Sequence, residues 1–189
     1  MSTNTDRRIR KTKKALKDGL IELLLEKNIK NISVRELTEK VDLNRGTFYL
    51  HYKDIFDLLE KIEDELFLEF NTILDSHNFD TTESPLPLLE DIFTFLKDNS
   101  ALCTVLLGNN GDLSFMDNIK SILKEKCFIT WQALFNLEAT EKFYYYYNYI
   151  LAGCIGIFDA WLKNGLKESS SEMASLTEAF ILNGVDSLK

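Results

Sequence analysis

The sequence predicts an all-α protein of about nine helices, a three-helix head containing a helix-turn-helix followed by a larger helical body. Three observations carry this. The stretch SVRELTEKVDLNRGTFYLHYKDIFDLLEK, from Ser33 to Lys61, reads as two short helices around a tight turn and then a longer capped helix. Apolar residues recur at helical spacing along most of the remaining chain. Two prolines and eight glycines in 189 residues leave little room for turn-rich β architecture. At 45% hydrophobic and 12% aromatic, the composition is far from that of a disordered chain.

Helix 1 is expected over about Ile9 to Glu26, burying Leu16, Leu20, Leu23 and Leu24. In helix 2, Ser33 and Glu36 form a capping box, and Val34, Leu37 and Val41 make one apolar stripe. Asp42 falls where the turn needs a residue tolerant of positive φ. Asn44 caps helix 3, Arg45 to His51, with Phe48 as its core residue. Helix 4 starts at the cap Asp54, with Asp57 as box partner, and carries Ile55, Leu58, Ile62, Leu66, Phe70 and Leu74. At about 30 Å it is long enough to link a head, residues 1–53, to a body, residues 54–189. Ser76 to Pro87 is a polar loop. Helix 5 then runs to about Lys97, helix 6 from Ser100 to Leu107, and Gly108 to Gly111 is a stop. Helix 7 spans about Leu113 to Phe135, with Met116, Cys127, Trp131 and Leu134 on its stripe. Helix 8 spans Thr140 to Asn164 and ends at Gly165 as C′; helix 9 opens at Ser171.

With Phe48 inside, helix 3 presents Asn44, Arg45, Gly46, Thr47, Tyr49 and His51 outward: donors, one cation and one small residue that permits close approach. Such a face suits a major groove. The segment from Arg8 to Leu59 resembles the tetracycline-repressor (TetR) family of transcription regulators, chiefly through TFYLHY (Thr47 to Tyr52) and DLL (Asp57 to Leu59). Two departures stand out. Asp42 occupies a turn position that is usually Gly, and Ile55 occupies one that is commonly Lys, leaving Lys53 as the nearest cation. The resemblance implies a double-stranded operator as partner. Asn44, Arg45, Thr47 and Tyr49 would form the groove face, with Arg45 suited to a guanine through its bidentate fork. Tyr49, His51 and Lys53 would clamp the backbone, while Ser33, Val34 and Arg35 would set a helix N-terminus near phosphate.

The charge is segregated. Residues 1–54 hold 13 Lys and Arg against 8 Asp and Glu, a balance of +5, and residues 55–189 hold 9 against 22, a balance of −13, giving the −8 of the whole chain. A basic head on an acidic body reverses what a pI of about 4.9 suggests when read alone. Arg7, Arg8, Arg10, Lys11, Lys13, Lys14 and Lys17 crowd the start of helix 1, next to the recognition element, and point to phosphate contacts.

Helix 8, FYYYYNYILAGCIGIFDAWL from Phe143 to Leu162, carries Asp159 as its one charge and has no polar face. A second subunit covers it most economically, and the resemblance to the TetR family implies a homodimer through helices 8 and 9; Ala152, Gly153 and Gly156 would allow close approach. The sequence around Gly153 to Ile157 and Trp161 to Gly165 is similar to the TetR-like C-terminal domain of regulators of the dihydroxyacetone-kinase activator type. Phe67, Phe70, Phe93, Leu96, Leu106, Trp131 and Phe135 are candidates to line a pocket for a small apolar or aromatic ligand, or are plain core.

No metal-ligand, Walker, G-x-S-x-G or G-x-G-x-x-G string occurs, so no enzyme, cofactor or metal site is expected. Three cysteines without a C-x-x-C pattern fit small core hydrophobes in a reducing compartment. With no signal-peptide pattern and no charge-free apolar run of about 18 residues, a cytoplasmic location without membrane contact is expected. The expected function is a ligand-responsive repressor acting on a palindromic operator. The alternatives are an activator of the same family and a small-molecule-binding helical protein with no operator.

Overall fold

A computed structural model describes residues 3–77, 84–107, 113–134 and 141–183. Among them are nine α-helices and no strand. These are α1 (Thr3–Glu26), α2 (Val34–Lys40), α3 (Arg45–Tyr49), α4 (Ile55–Ser76), α5 (Leu86–Asp98), α6 (Ser100–Leu107), α7 (Leu113–Leu134), α8 (Glu141–Lys163) and α9 (Ser170–Asn183), with a 3-10 turn at Ile29–Asn31. The chain divides into two compact units, one of Met1–Phe67 with Ala101–Asp112, the other of Leu68–Ser100 with Leu113–Lys189.

In the first unit, α1 starts six residues earlier than expected, because the basic run is made of good helix formers and Asp6 supplies an acid in the first turn. Its stripe of Leu16, Leu20, Leu23 and Leu24 is buried together with Leu37, Phe48, Tyr52, Leu58 and Ile62. The Ser33 hydroxyl accepts from the Glu36 N–H at 3.2 Å, capping α2. The end of α2 is a Schellman motif: Leu43 N–H donates to the Thr38 carbonyl at 2.9 Å and Asp42 N–H to that of Glu39 at 3.4 Å, with Asp42 at φ 51. α1 and α2 meet at Gly19, where a Cβ would lie 2.3 Å from Val41 Cγ1. Three ion pairs tie the unit further: Lys27 to Glu36, Lys40 to Glu22 at 2.8 Å and Lys17 to Glu65 at 3.9 Å.

The second unit is held by aromatic packing. Phe70 lies against Phe95 with ring centroids 5.6 Å apart, and Phe93 meets Trp161 edge-on at 5.5 Å. α8 ends as expected: Gly165 at φ 81 donates to Leu162 and Leu166 donates to Trp161, a second Schellman motif. The Tyr146 hydroxyl donates to the Ile181 carbonyl at 3.1 Å, joining α8 to α9. Phe143, Tyr147, Ile150, Phe158 and Trp161 turn one face of α8 inward. Tyr145 and Tyr149 stand 70% and 72% exposed on another face. Gly153 and Gly156 lie there too, with open space where a Cβ would be. Of the pocket candidates, Phe67 and Leu106 belong to the first unit and Phe70, Phe93 and Leu96 to the second. The Trp131 side chain and Phe135 lie outside the described residues, as do the side chain of Cys127 and the stop at 108–111.

Candidate nucleic-acid interface

α3 is short because its cap and its core contact leave it little freedom. The Asn44 side-chain oxygen accepts from the Gly46 N–H at 2.7 Å, and Thr47 N–H donates to the Asn44 carbonyl at 2.9 Å. Phe48 is fully buried, edge-on to Tyr49 with centroids 5.5 Å apart and tilted against Tyr52 at 5.7 Å. The helix ends at Tyr49, two residues before the expected His51, as His51 N–H tightens onto the Phe48 carbonyl at 2.9 Å. What faces outward is Arg45, Gly46, Tyr49 and Leu50, all exposed, with Thr47 and His51 half-buried beside them.

The expected residues differ in exposure and in freedom. Arg45 and Lys53 are exposed. Asn44 has spent its oxygen on the cap, a bond that does not use its NH2 group. Ser33 is spent in the same way on α2, and Val34 is half-buried. Arg35 donates from Nε to Glu39 at 2.7 Å, a hydrogen bond that raises its already high pKa and leaves the rest of the fork outward.

α4 is attached to the recognition helix by a charged node. Asp57 N–H donates to the Asp54 carboxylate at 2.9 Å, and Lys53 N–H to Asp57 Oδ2 at 2.8 Å. Lys61 Nζ pairs with Asp57 at 2.9 Å, reaches the His51 carbonyl at 3.3 Å and lies 5.1 Å from the Tyr52 ring centroid. The Lys61 hydrogen bond and the Lys53 N–H hold the Asp57 carboxyl below its usual range. Lys61 was not a predicted site residue. Its i,i+4 pairing with Asp57 is visible in the sequence, but its bond to a carbonyl ten residues back is not.

Next to this node, Arg10, Lys13, Lys14, Lys17 and Lys61 line a cleft with Tyr52, faced by Asp6, Asp18 and Glu65. Lys14 is paired with Asp18 at 2.8 Å and Lys17 with Glu65, so Arg7, Arg8 and Lys11, all exposed, are the better placed cations of the basic run. Among the described residues there is no cluster able to hold a metal ion, and no helix is long and apolar enough to cross a membrane. Burial pushes the thiols of Cys103 and Cys154 up to about 12, away from the thiolate that a redox sensor needs.

A family model of the TetR type, described as a transcriptional regulator C-terminal region, matches residues 83–183, which is 101 of the 189 residues. YxbF of Bacillus subtilis (strain 168), an uncharacterized HTH-type transcriptional regulator, is 33% identical over 51 residues, 27% of this chain. The chain spans 13% of the length of that curated relative. Among solved structures, a TetR transcriptional regulator from Streptococcus agalactiae 2603V superposes with a TM-score of 0.64 at 21% identity, over 96% of this chain and 99% of that one. FadR from Bacillus subtilis, in complex with stearoyl-CoA, gives 0.61 at 14%, over 90% and 98%. The dihydroxyacetone kinase operon activator DhaS gives 0.52 at 15%, over 93% and 96%, in keeping with the second resemblance read from the sequence. These likenesses establish the fold. With the C-terminal region matched and a helix-turn-helix ahead of it, this chain belongs to the TetR family of DNA-binding transcriptional regulators.

Proposed function

We propose that the chain is a homodimeric repressor that binds a palindromic operator and releases it when a small apolar ligand binds. The observation that carries the reading is the recognition face: Phe48 is buried while Arg45, Gly46 and Tyr49 are exposed, within residues 1–54 of net charge +5. In this reading residues 1–53 are the DNA-binding domain and residues 54–189 the regulatory and dimerisation domain. Arg45, Thr47, Tyr49 and the amide of Asn44 read bases. His51, Lys53 and Arg35 hold phosphates, with Ser33 and Val34 setting the start of α2 beside the backbone.

Dimerisation is supported by the exposed stripe of Tyr145, Tyr149, Gly153 and Gly156 on α8, with Leu176 and Leu182 at 41% and 48% exposure on α9. A dimer sets two recognition helices about 34–36 Å apart, one turn of DNA. Ligand response is supported by α4, a single helix running from the first unit into the second, and by the acyl-CoA seen on the B. subtilis FadR. Activation is the second reading, favoured by the likeness to DhaS, an operon activator.

The test is selection of bound sequences from a random duplex pool. Recovery of an inverted repeat with half-sites one helical turn apart is expected, and recovery of no consensus overturns the reading. Transcription from that sequence with and without the protein then separates repression from activation.

A further inference from the structure

Leu50 is 80% exposed, the highest value among the large exposed hydrophobic side chains of the described residues. Single exposed leucines are ordinary on protein surfaces. The place of this one is not. Leu50 keeps helical backbone, φ −71 and ψ −19, as the C-cap of α3, so the register of the helix runs through it. At about 100° per residue it stands about 160° around the axis from Phe48, the buried anchor. Gly46 lies one turn earlier on the same ridge and has no side chain. Along the line of α3 that points furthest from the core, Leu50 is therefore the first side chain that a facing surface meets. Arg45 and Tyr49 flank it on one side, Thr47 and His51 on the other.

A surface that accepts α3 and consists of phosphates and polar base edges would leave an aliphatic side chain at the apex unmatched. The major groove offers one apolar group on its bases, the C5-methyl of thymine. We propose that Leu50 reads sequence by packing on a thymine C5-methyl in each operator half-site. The contact rests on the DNA-reading function proposed above and adds a base position that the polar residues do not specify. 5-Methylcytosine carries the same methyl at the same place and would satisfy Leu50 equally.

The probe is the duplex recovered by selection, with each thymine of the half-site replaced in turn by deoxyuridine, which removes only the methyl. One position is expected at which this costs the natural protein about fourfold in affinity per half-site, the worth of one buried methyl-sized group. Leu50→Ala should bind the thymine duplex weaker by a similar factor and show no difference between thymine and deoxyuridine at that position. Because Leu50 is exposed, the melting temperature of the variant should match that of the natural protein. If the natural protein tolerates every replacement, or if Leu50→Ala stays as sensitive as the natural protein, the contact is overturned while the selected operator leaves the DNA-reading function standing. If selection recovers no sequence, the function itself fails and the contact with it.

Discussion

Gly19 and Asp42 occupy opposite kinds of special position, and substitution should move stability in opposite directions. At Gly19 a Cβ would meet Val41 Cγ1 at 2.3 Å and Leu37 Cδ1 at 3.2 Å. Val41 is β-branched and cannot swing aside without leaving its rotamer. Gly19→Ala gains helix propensity of up to about 1 kcal/mol but forces α1 from α2, so a net loss of about 1–2 kcal/mol is expected in urea unfolding. Asp42 holds φ 51 without glycine's freedom. Asp42→Gly should raise stability by about 0.5–1 kcal/mol, since relief of the left-handed backbone outweighs the added freedom of the unfolded chain. Of the two, only Asp42 was legible in the sequence, because a turn position announces itself locally. The Gly19 contact pairs residues 22 apart and needs the fold. Leu50 was missed for another reason: periodicity arguments assign leucine to a core, and only the solid angle around α3 shows that it points out.

The readers and holders of DNA can be separated at the same scale. Arg45→Ala should cost about 1–3 kcal/mol and relax preference at one base position, whereas Lys53→Ala should weaken every duplex alike. Equal losses for both variants on operator and random DNA would remove the distinction.

The elements that matter most are α3 and the first turns of α4, joined by Asp54, Asp57 and Lys61. Their caps were readable because capping is a property of four consecutive residues. The Lys61 bond to the His51 carbonyl places a cation just past the end of α3, at the negative end of the helix. Lys61→Met keeps the stem over Tyr52 and removes the charge. It should lower operator affinity several-fold with little change in melting temperature, and combination with Asp57→Asn should be less than additive by about 0.5 kcal/mol. Strict additivity would show that Lys61 acts only as a surface charge. Acid should loosen the same elements. Glu36 is held below the usual carboxylate range, first by its hydrogen bond to Lys27, and Asp57 likewise, first by Lys61. A lowered folded pKa means stability that is complete above the unfolded value and lost as pH falls through the folded one. Thermal unfolding followed by circular dichroism should thus show stability declining below about pH 4.5 and level above it as far as these two groups contribute.

At the scale of the whole molecule, charge and oligomeric state combine. Helix 8 reads in the sequence as apolar all round, and the fold resolves this into a face turned into its own unit and a face of Tyr145, Tyr149, Gly153 and Gly156 left outside. Sequence alone could not divide the two, because both are aromatic and small residues at helical spacing. If the outer face joins two copies, Tyr149→Glu places a carboxylate from each subunit into an apolar contact, where neither finds a partner. Since Tyr149 is 72% exposed in the single chain, the substitution leaves the folded subunit intact. Sedimentation equilibrium should then give a monomer of 21.9 kDa with unchanged helicity. Its DNA binding should follow. A dimer neutralising about eight phosphates gives a log K against log salt slope near −7, and a monomer engaging half of them gives about half that slope. Operator affinity should fall by more than a hundredfold, because the second half-site is no longer delivered at the effective concentration set by the first. A variant that sediments as a monomer yet keeps both the slope and the affinity of the natural protein would show that one head suffices, and would remove the palindromic operator from the account.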